Sequence, residues 1–227
     1  MKIKLNEPQV MDGLALLQSL KDRSAAAVFF DAQYRQGLDK LAFGNEGARQ
    51  SGRAALPQMS NFQIAAMVEE IERILKSSGH LFLWLDKFAL VSGLWRRWLP
   101  KVTSIGAVDM ISWDKDRIGM GRRFRCQTEF MVVLQRGPLQ AAGIWSDHRI
   151  GDCWREKADR KRHPHAKPVA LIERVIRAVT KPGDFVVDPC AGGYSVLDAC
   201  RRSKRQFIGC DLADSGDSGG NSARAVG

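Results

Sequence analysis

Apolar and polar positions along the 227-residue chain follow two different periods, and the change between them marks out the elements. Residues 25–30 (AAAVFF) are an unbroken apolar run closed by Asp31, which predicts a strand buried on both faces. Residues 14–20 ahead of it carry helical spacing. After Ser60 or Asn61 as a cap, Ile64, Met67, Val68, Ile71 and Leu75 fall on one helix face, and Gly79 follows its end. Strands are expected over 80–85, 104–113 and 128–134, with a helix over 88–99. The helical period returns after Pro168, at Val169, Ile172, Val175, Ile176 and Val179, with proline in the first turn. Pro182-Gly183 then punctuates the chain. Phe185-Val186-Val187 forms a short strand into Asp188, Ala191-Gly192-Gly193 a turn, 196–202 a helix, and 206–210 a strand ending on Asp211. Residues 1–12 read as a lead-in with edge-strand character, and the small, polar 213–227 as a frayed tail.

Strands alternating with helices predict an α/β fold. The segment from Asp188 to Asp211 has a definite chemistry. A glycine turn lets backbone approach a ligand, a helix N-terminus offers unpaired N–H groups, and an acid closing the next strand suits the two hydroxyls of a ribose. By itself that pattern also fits a plain α/β turn without a ligand.

Charge sharpens the picture. The net charge is +10 and the pI about 9.7, which favour a polyanionic partner, nucleic acid first and an anionic membrane surface second. No run approaches a transmembrane span and the N-terminus lacks a signal-peptide core, so a cytoplasmic protein without membrane association is expected. Five scattered cysteines without CxxC point to reduced thiols. His148, Cys153, His163 and His165 match no zinc spacing, so no metal is expected.

The wording of 163–211 is more specific. HPHAKP, then a helix, a strand ending in DPCAG and a second ending in IGCD resembles the β-group DNA amino-methyltransferases, which use S-adenosylmethionine. The resemblance covers roughly residues 10–212. It implies a Rossmann-like methyltransferase sheet, mostly parallel with one antiparallel strand and circularly permuted, the catalytic half first and the cofactor half last. It also implies neighbouring strands ending at Asp31 and Asp188. Where the family usually has DPFAGSGT, this chain has Cys190 for phenylalanine and Tyr194 for the later glycine. The family's catalytic DPPY corresponds to Asp31-Ala32-Gln33-Tyr34, without either proline, and its WxK segment to Trp113-Asp114-Lys115.

Carried over residue by residue, the resemblance implies a cofactor site of Asp12, His163, Lys167, Asp188, Cys190, Ala191, Gly192, Ser195 and Asp211. For Asp12 a solvated turn acid is the competing reading. Asp31, with a backbone carbonyl from Ala32 or Gln33, would hold an exocyclic amine while Tyr34 stacks on the base. Arg35 and Lys40 lie in a glycine-rich 35–60 loop, expected to be mobile, that would fold over DNA or simply be solvated. Arg122, Arg123, Arg125, Arg160, Lys161 and Arg162 would reach phosphates.

The expected organisation is one domain over 1–212, a monomer or homodimer on double-stranded DNA, with 137–162 as a short target-recognition insert. The expected activity is adenine-N6 methylation with a short or relaxed target. Cytosine-N4 or RNA methylation, and a catalytically inactive nucleic-acid-binding relative, are the alternatives.

Overall fold

The computed structural model describes residues 3–34, 58–99, 104–119, 123–157, 159 and 166–212. Helix α1 (Gly13–Ser19) is capped by the Asp12 carboxylate, which accepts the Ala15 N–H at 2.9 Å. Strand β1 (Ala25–Phe30) is buried along its whole length. Helix α2 (Asn61–Ile74) starts in a capping box, Ser60 and Gln63 each taking the other's orphan N–H. Strand β2 (Leu75–Leu85) follows without a loop, then the short α3 (Lys87–Val91) and a 3₁₀ turn, Leu94–Trp98. Strands β3 (Ile105–Asp114), β4 (Thr128–Arg136) and β5 (Cys153–Arg155) come next. Helix α4 (Val169–Val179), β6 (Phe185–Asp188), α5 (Ser195–Ser203) and β7 (Gln206–Gly209) complete the described chain.

The strands form one seven-stranded sheet in the order β5-β3-β4-β2-β1-β6-β7. Only β4 runs antiparallel to its neighbours, as the family resemblance implies. Helices α1 and α2 bury Leu16, Leu17, Ile64 and Ile71 against one face of the sheet, and α4 and α5 bury Leu171, Ile172, Val196 and Leu197 against the other. β1 and the 81–85 part of β2 are therefore dry on both faces, which explains their uninterrupted apolar runs.

Several expectations change. Helix α2 ends at Ile74, because Leu75 is already extended and pairs with Ala25; Leu75 therefore belongs to the strand. Gly79 lies inside β2 at a register shift and is no helix cap. A Cβ there would come within 2.9 Å of the Lys76 carbonyl and 3.2 Å of the Ala26 carbonyl. The expected helix over 88–99 is split, since Gly93 takes a left-handed φ of 66° and only a 3₁₀ turn follows it. Strand β5 inside 137–162 was not anticipated, being too short to show alternation. The lead-in forms a single bridge, Val10 to Asp211, in place of an edge strand. Among the described residues no helix is long and apolar enough to cross a membrane, and all five cysteines are free.

Candidate active site

Register brings three acids to one edge of the sheet. In the parallel β1–β6 pair, Val28 sits opposite Val187, so Asp31 and Asp188 leave neighbouring strands at the same end. Asp188 in turn is paired with Gly209, and Asp211 follows two residues on. This is the carboxyl edge, where ligands bind in open α/β sheets.

Asp188 accepts the Cys190 N–H at 3.2 Å, and Asp211 accepts the Gly192 N–H at 2.8 Å. The turn between β6 and α5 is thus held from both ends by carboxylates. Burial pushes the Asp188 carboxyl up to about 8 against the stabilising Cys190 N–H, and the charges of Asp31 and Asp211 add to the rise. Burial also drives the half-buried Cys190 thiol well above its usual range. Ala191 and Ser195 are buried, and the Ser195 hydroxyl accepts the Lys167 N–H at 3.1 Å. Gly13 closes the floor: a Cβ there would stand 2.4 Å from the Pro189 carbonyl, so only glycine lets α1 approach. Asp12 beside it is exposed and already occupied as the α1 cap.

The glycine position of the turn is filled by Tyr194, at a left-handed φ of 55°. Its ring is buried edge-on to Phe207, 6.2 Å between centroids. Its hydroxyl donates to the Gln9 carbonyl at 3.2 Å and lies 3.3 Å from the Gln9 N–H. That pair of contacts pins the lead-in beside the turn.

On the β1 side, Lys167 reaches Asp31 at 2.9 Å and Glu129 at 2.8 Å, with its ammonium 5.1 Å from the Trp84 ring centroid. Glu129 also pairs with Lys115 at 3.2 Å. Burial alone would lower the Lys167 ammonium, but Asp31 and Glu129 outweigh it and raise its pKa. Burial would raise Glu129, yet the two lysines hold it at about 2. The result is a chain of alternating charge, Lys115–Glu129–Lys167–Asp31. Ala32 is buried, the Gln33 carbonyl accepts the Met59 N–H at 2.7 Å, and the Tyr34 hydroxyl accepts the Asp86 N–H at 3.0 Å. Tyr34 lies edge-on to Trp98 at 5.0 Å, and burial, then the Asp86 charge, raises its pKa.

The structure therefore brings Asp31, Tyr34, Lys167, Asp188, Gly192 and Asp211 to one crevice. Sequence reasoning missed Glu129, Trp84 and the role of Lys115 as an ion-pair partner. The available signal was an acid at the second position of a strand that is otherwise apolar from Phe130 to Leu134. Arg123 and Arg125 are exposed on the β3–β4 connection. Arg35, Lys40, Arg122, Arg160, Lys161, Arg162 and His163 lie outside the described residues. Among those described, no group of three or more His, Cys, Asp or Glu could hold a metal.

A doubly wound sheet with a carboxylate-braced glycine turn beside a second strand-end acid has the architecture of nucleoside-binding α/β proteins, and comparison with known proteins narrows the class. The family model described as DNA methylase matches residues 138–215. The type II methyltransferase M.HhaII of Haemophilus parahaemolyticus is 46% identical over 209 residues, 92% of this chain and 91% of that protein. M.HpaI of Haemophilus parainfluenzae is 35% identical over 88% of this chain and 68% of its own length. Among solved structures, the M1.HpyAVI–SAM complex superposes with a TM-score of 0.65 at 19% identity, covering 92% of this chain and 94% of that one. PvuII DNA methyltransferase, described as cytosine-N4-specific, gives 0.64 at 14% identity, covering 91% and 82%. The chain belongs to the N6/N4 DNA amino-methyltransferase family.

Proposed function

We propose that this protein is a type II DNA methyltransferase that methylates the N6 amine of an adenine turned out of the duplex, with S-adenosylmethionine as donor. The observation that carries the reading is the Asp31 carboxylate, fixed by Lys167 at 2.9 Å, on the strand next to the Asp188–Asp211 turn. The residues present suit the donor. Asp31, Asp188 and Asp211 line one carboxyl edge, so a sulfonium bound there meets acidic groups. When bound, S-adenosylmethionine supplies an electrophilic methyl on a sulfonium centre.

The rest falls to the chain. Adenine's exocyclic amine is a weak nucleophile because its lone pair is delocalised into the ring. Asp31 and a backbone carbonyl accept its two hydrogens and leave the lone pair directed at the methyl. The Gln33 carbonyl already takes the Met59 N–H, so Ala32 is our choice for the second acceptor. Lys167 holds Asp31 in place through their ion pair, and Glu129 balances the ammonium. Tyr34, held by Asp86 and Trp98, forms a wall on which the everted base stacks. Most of the rate gain comes from positioning, with no covalent intermediate on the enzyme. Asp211 serves the ribose, and Arg123 and Arg125 serve phosphates, as do the basic residues of 35–60 and 160–162.

The aspartate at position 31, where a serine would suit cytosine, supports adenine as the base. A short or degenerate target is supported by the 137–162 segment, much of which is committed to the scaffold. Its Ser146 N–H bonds the Ala178 carbonyl, Asp147 pairs with Arg174 at 2.7 Å, and Glu156 accepts the Ala170 and Leu171 N–H groups of α4. Those side chains and backbone groups are tied to α4 and its C-terminal end and are not free to read base edges. Labelled-methyl transfer to DNA and RNA with nucleoside analysis, then mapping on a long natural duplex, tests all of this. Labelled cytosine-N4 would replace the base assignment. Confinement of every modified base to one motif of four or more defined positions would remove the degenerate target.

A further inference from the structure

We propose that Phe124 is a wedge that enters the base stack of duplex DNA and fills the gap left by the everted target base. The inference rests on the methyl-transfer reading and goes beyond it. Phe124 is 84% exposed, so its ring is open to a partner. It stands between two exposed arginines, Arg123 and Arg125. Its support is braced: the Arg125 guanidinium donates to the Gly119 carbonyl at 2.8 Å, and the Gly119 N–H donates to the Cys126 carbonyl at 2.9 Å.

Two routes connect this ring to the crevice. The first runs through the base of the β3–β4 connection, where Lys115 and Glu129 lead by ion pairs to Lys167 and Asp31. The second runs sideways: the Lys87 ammonium donates to the Phe124 carbonyl at 3.4 Å, and the N–H of the preceding Asp86 holds the Tyr34 hydroxyl. The Lys87 ammonium also lies 5.3 Å from the ring centroid of Phe88, itself partly exposed. These contacts tie Phe124 to the Asp86–Lys87 segment whose backbone N–H holds Tyr34, and put it among the cations Lys87, Arg123 and Arg125. An apolar ring flanked by cations at that place fits a nucleic acid: the arginines take phosphates, and the ring recovers stacking that the departing base gives up.

The test compares the parent with Phe124→Ala and Phe124→Trp on oligonucleotide duplexes built around a site that the parent methylates in genomic DNA. In one duplex the target base is fully paired; in the other it faces an abasic position and is already loose. Eversion is followed separately by 2-aminopurine fluorescence at the target position of the paired duplex. Phe124→Ala is expected to lose roughly 10- to 100-fold in kcat/KM on the paired duplex, to lose the fluorescence rise, and to approach the parent on the abasic duplex. Phe124→Trp is expected to recover most of the paired-duplex rate. An equal loss on both duplexes would make the residue merely structural and overturn the inference. So would parent-like methylation and fluorescence in Phe124→Ala, or an effect confined to self-association in sedimentation. A parent that transfers no methyl group to DNA would overturn the functional reading and this inference together, whereas a transferring parent with an indifferent Phe124→Ala overturns the inference alone.

Discussion

The carboxyl of Asp188 is buried between two neighbours of its own sign, Asp31 and Asp211, and its pKa stands near 8 against an ordinary 3.8. A carboxyl raised in the folded state binds its proton there more tightly than in the unfolded chain. The stability it contributes is complete below about pH 4 and is lost as pH rises through 8. Asp188→Asn keeps the shape and the oxygen that accepts the Cys190 N–H while removing the charge. Its melting temperature should exceed the parent's by a margin that widens between pH 5 and pH 8, measured by calorimetry without cofactor. A margin constant across that range would show that Asp188 is not held neutral by its surroundings. His80 has the opposite sign. Burial lowers it to about 4, so its contribution is lost as pH falls from about 6.5 to 4, on the order of 3 kcal/mol in full. His80→Gln should flatten the acid limb of the stability profile, and an unchanged limb would contradict the assignment.

At the scale of elements, the lead-in acts as a strap over β7. Asn6 imitates a strand residue: its side-chain oxygen accepts the Phe207 N–H at 2.8 Å and its backbone N–H donates to the Phe207 carbonyl at 3.0 Å. Gln9 continues to the Gly209 carbonyl, and Tyr194 locks the strap to the turn. Tyr194→Phe removes only the hydroxyl contacts and is expected to cost about 1 kcal/mol of stability, read from urea unfolding. No change in the unfolding midpoint would mean that the strap is held elsewhere. How much of this was legible follows from physics. Strand β1 is readable to the residue because a doubly buried strand must be apolar throughout and Asp31 ends it. Asp188 and Asp211 were readable because a glycine turn between two short strands sets acids at their ends, whereas Asp31 was singled out by the family resemblance. Gly79 and Leu75 misled because the register shift in β2 depends on its partner β1. Glu129 and the Asn6 pairing were hidden for the same reason, since each takes its meaning from a residue far away in the chain. Tyr194, a departure from the family motif by sequence, is accounted for by its buried ring and the Gln9 contacts.

For the whole molecule, a net charge of +10 makes DNA affinity a matter of counterion release. The logarithm of the binding constant should fall against the logarithm of salt concentration with a slope of about −4.5 to −7, corresponding to roughly five to eight phosphate contacts. Arg123→Ala should make that slope shallower by about 1. A salt-independent affinity would rule out phosphate contacts as the basis of binding. Fold, crevice and charge together converge on one claim, that Asp31 holds the amine receiving the methyl group. The direct measurement is transfer of labelled methyl from S-adenosylmethionine to duplex DNA by the parent and by Asp31→Ala, with nucleoside analysis of the product and cofactor affinity measured in parallel. The account predicts N6-methyladenine from the parent and at least a ~100-fold loss in Asp31→Ala, with cofactor affinity within a few-fold of the parent. Turnover by Asp31→Ala near the parent rate, or label on a nucleoside atom other than an exocyclic amine, would contradict it.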